Sequence, residues 1–127
     1  MNARIFLGLN TLIWLPYGLY CFIDPGFLAG AAGVTSTTAT GSTELRAMYG
    51  GLQAGIGALC LVAVLRDEFV RPALVTVAFL VAGLASTRLV GSALDHGWSQ
   101  YTGMALLFEI TLVSVSVVLL RRQGVAA

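Results

Sequence analysis

Charge is what this chain has least of. Lysine is absent: all seven basic residues among the 127 are arginines, set against six acids. Charged residues make up 10% and hydrophobic ones 57%, and the mean hydropathy is +0.88. A soluble domain carries about 25% charged residues. This chain therefore lacks the polar groups to cover a soluble surface of its own size, which predicts an integral membrane protein. A net charge of +1 leaves no basic face for nucleic acid.

Histidine and cysteine are scarce too. With one histidine, two cysteines and no Cys-x-x-Cys spacing, no metal site is expected. Cys21 and Cys60 fall in separate apolar segments, roughly 20 Å apart in depth at helical rise, too far for a disulfide. No Ser-His-Asp or Cys-His set is present, which argues against nucleophilic catalysis. No haem, flavin or iron–sulfur motif is evident, so no cofactor is expected.

What the chain does have is four apolar runs, at about 5–23, 44–65, 73–94 and 101–120. Each is close to the ~20 residues that a helix needs to cross a bilayer. Backbone groups in lipid must bond internally, so helices and not strands are expected. The prediction is a single all-α domain over 1–127, a transmembrane four-helix bundle. The first connection, "DPGFLAGAAGVTSTTATGST" (24–43), is rich in Gly, Ala, Ser and Thr and reads as a mobile loop or lid. Pro72 suits the first turn of a helix.

Arg4, "FLGLNTLIWL" and "LAGA" at 28–31 weakly imitate a cleaved signal peptide. The run is too long for one and contains Pro16, Tyr17 and Tyr20, so an uncleaved span is expected. An even number of spans puts both termini and the 66–72 connection on one side. That side holds Arg4, Arg66, Arg71, Arg121 and Arg122, which predicts cytoplasmic termini.

The polar residues inside the runs fall on stripes at about 100° per residue. Asn10, Trp14, Tyr17, Cys21 and Asp24 align in the first run. Arg46, Tyr49, Gln53, Gly57 and Cys60 align in the second, Arg88, Ser92 and Asp95 in the third, and Thr102, Glu109 and Ser116 in the fourth. One polar face per helix points to a shared centre. Counted from the outer ends, Arg88 lies about 9 Å deep, Glu109 about 12 Å and Gln53 about 13 Å. Asp24, Glu44, Asp95 and His96 would form a rim above them. The expected shape is a cup open outward or to the outer leaflet.

A charge at mid-bilayer costs about 2.5–3.5 kcal/mol, so Arg88 and Glu109 are expected to pair. The pair is either a staple that fixes helix register or a site that binds or protonates a ligand. Glu44 also reads as a first-turn acid favoured by the helix dipole. Gly51 and Gly55 have the small-xxx-small spacing of close helix packing, and Trp98 and Tyr101 suit an interfacial aromatic belt.

"ELRAMYGGLQAGIG" in the second run, "RLVGSALDHG" ending the third and a glutamate in the fourth together resemble a bacterial four-span family of the DoxX-like (DoxD-like) superfamily. The resemblance extends from "LIWLPYGLYCFIDP" to "LLFEI", and E-x-R-A-x-Y-G-G is its most specific element. It implies a bacterial inner-membrane protein, with Glu44, Arg46, Tyr49, Arg88, Asp95 and Glu109 as pattern positions. The wider superfamily is similar in fold to small subunits of quinone-linked oxidoreductases and to other membrane proteins that handle lipophilic molecules.

Three functions follow as expectations. The first is binding of a quinone, isoprenoid or lipid, as an accessory to a membrane redox system. Its head would meet Arg46, Tyr49, Gln53, Arg88 and Glu109, with Trp14, Tyr17 and Asn10 lining the first helix. The second is an enzyme on such a molecule, an isomerase, cyclase or hydrolase, with Glu109 and Arg88 as the catalytic pair. The third is a structural subunit of a larger membrane complex. The partners expected are the bilayer, the lipophile, and a membrane protein or a second copy of the chain.

Overall fold

The computed structural model describes residues 2–124, which are helical with no strand among them. Four helices among these residues are long and apolar enough to cross a membrane: Ala3–Ile23, Ala39–Leu65, Asp67–Leu94 and Gln100–Gln123. Between 28 and 39% of each apolar window is buried. All four expected spans are present, and the second begins at Ala39 rather than near 44. The chain divides into two compact units, one ending at Val70 and one beginning at Arg71.

The first unit opens with α1 (Ala3–Ile23), capped by Asn2, whose side chain accepts the Arg4 N–H at 3.1 Å. α1 runs through Pro16 and closes where the Asp24 N–H bonds the Tyr20 carbonyl, just before Pro25. The connection is not the irregular loop that its composition suggests. It contains α2 (Phe27–Ala32), closed by Gly33 in the left-handed conformation, with Leu28 fully buried. Thr38 then caps α3 (Ala39–Leu45) by accepting the Gly41 N–H at 3.0 Å. α3 passes into a π-helical turn over Arg46–Gly51 and on into α4 (Leu52–Leu65). A 3-10 turn, Asp67–Phe69, follows.

Arg4 ion-pairs with Asp67, joining the start of α1 to the end of the second span. The two spans are therefore antiparallel, and they touch backbone to backbone. A Cβ on Gly18 would fall 2.3 Å from the Ala54 nitrogen, and one on Gly50 would fall 2.8 Å from the Phe22 Cβ. The sequence pointed to Gly51 and Gly55 for this contact. The structure assigns it to Gly18, Gly50 and Gly57: a Cβ on Gly55 meets nothing within 4 Å, and one on Gly51 meets only Arg46 of its own turn, at 3.9 Å.

The second unit holds α5 (Val70–Leu94) from its second residue onward, and α6 (Gln100–Gly124). Pro72 lies in the first turn of α5, where its missing N–H costs nothing. At the other end the Gly97 N–H bonds the Ser92 carbonyl at 3.1 Å, with His96 between them in the left-handed region at φ 51°. Ser99 caps α6: its hydroxyl accepts the Thr102 N–H at 3.1 Å.

Candidate functional site

The second unit contains a buried ion pair. Arg88 projects from α5 and Glu109 from α6, and both lie inside apolar spans. The guanidinium donates from Nε to Oε1 at 3.0 Å and to Oε2 at 3.1 Å, and from Nη2 to Oε1 at 2.7 Å. Both carboxylate oxygens are therefore held by one edge of the arginine, the arrangement that suits two planar ions. The Arg88 guanidinium carbon also lies 5.8 Å from the centre of the Tyr101 ring. The two partners differ in access: the Glu109 side chain is 5% exposed and that of Arg88 is 28% exposed.

The stripe predicted on the fourth span is buried along its length, with Thr102, Glu109 and Ser116 all closed off. Thr102 has its hydroxyl against Ser99 Oγ at 3.0 Å and donates to the Gly97 carbonyl at 3.2 Å. Ser116 is fully buried, and its hydroxyl has no hydrogen-bond partner among the described residues. Of the third stripe, Ser92 is buried, Arg88 half-buried and Asp95 exposed.

The first unit holds a second polar group. Asn10 donates to the Phe6 carbonyl at 2.9 Å and accepts the Trp14 indole N–H at 2.9 Å, and both side chains are buried. Tyr17 and Tyr49 are half-buried, and Gln53, Cys21 and Cys60 are buried. The Gln53 side-chain oxygen has no partner among the described residues, a costly arrangement for a buried amide.

Arg46 has a role that the sequence did not disclose. Its Nη1 donates to the carbonyls of Phe22 and, at 3.1 Å, Ile23, and its guanidinium lies 5.9 Å from the centre of the Phe22 ring. The last carbonyls of a helix lack partners within it and carry the negative end of its dipole. Arg46 thus closes the end of α1 from the neighbouring span. It does so from the first residue of the π turn, and such turns are rare and frequently sit at functional sites.

The site residues predicted from the sequence therefore separate by environment. Arg88 meets Glu109, Asn10 meets Trp14, and Arg46 meets the end of α1. Asp24, Glu44 and Asp95 are exposed, and Asp24 accepts the Gly26 N–H at 3.1 Å. Among the described residues no group of three or more His, Cys, Asp or Glu side chains is placed to hold a metal ion.

These positions fall within one recognised sequence pattern, which matches residues 2–120. The chain belongs to the family described as "Domain of unknown function (DUF4345)". The match covers the first three spans and most of the fourth, and it includes Arg46, Arg88 and Glu109. No curated protein and no solved structure matches the chain.

Proposed function

We propose that this DUF4345 protein binds a lipophilic molecule with a polar head, a quinone, isoprenoid or lipid, in an outward-facing intramembrane pocket. Its setting is the bacterial inner membrane, with both termini cytoplasmic, and its role is accessory to a membrane redox system. The arginine bias of the chain ends supports that orientation. The resemblance to DoxX-like proteins supports the ligand class.

The observation that carries the reading is the Arg88–Glu109 pair. Ionisable residues inside a span are expensive and mark functional positions by default. A pair serving only as a staple gains most when closed to its surroundings on both sides. Here the carboxylate is closed off and the arginine is partly exposed. A ligand carbonyl or hydroxyl oxygen would meet a guanidinium already oriented by Glu109. Arg88 donates to both Glu109 oxygens, so the carboxylate serves as an acceptor that orients the guanidinium. A held acceptor supports binding ahead of proton-donating catalysis.

The test is native mass spectrometry of the protein extracted in mild detergent, with identification of any bound mass. Wild type, Arg88→Ala and Glu109→Gln are compared. A discrete lipophile retained by wild type and lost by both variants is the expected result. No ligand on wild type, with both variants merely less stable, would reduce the pair to a staple.

A further inference from the structure

We infer that Arg46 forms a head-group site for the phosphate of a phospholipid, separate from the ligand proposed for Arg88 and Glu109. The two arginines of the spans use the same side chain differently. Arg88 spends its Nε–Nη2 edge on the two oxygens of Glu109. Arg46 spends Nη1 on two backbone carbonyls, and its Nε and Nη2 have no acceptor among the described residues. That edge is the one whose geometry matches a carboxylate or phosphate bidentately.

No carboxylate among the described residues lies within ion-pair distance of Arg46. Glu44, two residues before it, and Asp24, just beyond the end of α1, are both exposed, and Asp24 turns its carboxylate to the Gly26 N–H, while Asp67 pairs with Arg4. The guanidinium is held from two directions, by the α1 carbonyls and over the Phe22 ring, so little ordering remains to be lost on binding. Ser42, half-buried and four residues before Arg46, places a hydroxyl one turn away.

Depth decides what kind of oxyanion arrives. α1 has 21 residues, which at helical rise give about 31 Å, close to the ~30 Å hydrocarbon core. Arg46 bonds the carbonyl of Ile23, the last residue of α1. Its guanidinium therefore lies where the hydrocarbon ends and lipid phosphates begin.

Native mass spectrometry of the full chain tests this with defined additions: phosphatidylglycerol, diacylglycerol with the same tails, and inorganic phosphate. Wild type should retain phosphatidylglycerol, and neither of the other two should bind or compete. Arg46→Gln should weaken retention roughly tenfold or more. Arg46→Gln also loosens the end of α1, so Arg46→Lys is the second variant. Lysine keeps the charge and a donor for the carbonyls but lacks the paired edge; it should keep wild-type helicity by circular dichroism and still lose retention. Equal phosphatidylglycerol retention by wild type and both variants would overturn the site. Displacement by millimolar inorganic phosphate would overturn the lipid as its occupant. Neither result depends on Arg88 or Glu109, so this site and the proposed pocket can fail separately.

Discussion

Gly57 of the second span presses against the backbone of Leu15 in the first. A Cβ built on Gly57 would lie 2.4 Å from the Leu15 nitrogen and 2.7 Å from its Cα. Backbone cannot swing aside as a side chain can. Gly57→Ala should therefore cost about 1–3 kcal/mol through overpacking. Gly55→Ala, on open space, should gain about 0.5–1 kcal/mol from reduced backbone freedom. Thermal unfolding in one detergent, followed by circular dichroism, compares the two. Equal effects would contradict the packing described for α1 and α4.

Breaking the Arg88–Glu109 pair from one side should cost more than removing it whole. Arg88→Met alone leaves a buried carboxylate without its arginine. That should cost about 3 kcal/mol, the lower end for a buried pair because Arg88 keeps some exposure. The double change Arg88→Met with Glu109→Leu should be milder than either single change. A double-mutant cycle on unfolding midpoints checks this, and additive losses would show that the two groups are not coupled.

Asn10 should matter through Trp14. Asn10→Ala deletes the acceptor of a buried indole N–H, at about 1–3 kcal/mol. Trp14 is buried and Trp98 is exposed. The near-ultraviolet circular dichroism of the buried indole should change, and an Asn10→Ala, Trp14→Phe double variant should show whether the change belongs to Trp14. An unaltered spectrum would mean that the bond does not orient the ring.

The end of α5 offers an expected gain. His96 occupies a left-handed position, where a side chain costs about 1 kcal/mol and glycine costs none. His96→Gly should raise the unfolding midpoint. A lowered midpoint would show that the imidazole makes a contact worth more than the strain.

The spans were legible because four apolar runs of the right length are separated by charged or turn-forming segments. The stripe of the fourth span was legible because its helix is regular: Thr102, Glu109 and Ser116 recur every seven residues, and all three are buried. The helix at Phe27–Ala32 was not legible, since Gly and Ala at that density read as coil and only the burial of Leu28 fixes it. The packing glycines were misassigned for a similar reason. In "YGGLQAGIG" several pairs have helical spacing, and choosing among them needs the partner helix. Arg46 lay on the predicted stripe, but its bond to an α1 carbonyl joins residues 23 positions apart, and no local pattern encodes that.

The π turn at Arg46–Gly51 has a consequence for how the second span meets its surroundings. Bonding from i to i+5 takes up one more residue per turn than an α-helix does, which offsets angular positions by about 100° across the turn. The side of α3 that continues the lipid-facing side of α4 is not the one found by counting back along an unbroken helix. A substitution scan along this span would trace two periodic waves of tolerance out of phase with each other, meeting at Arg46–Gly51. Deleting one residue there would merge the waves, turning Arg46 away from the end of α1 while leaving the length of the span almost unchanged.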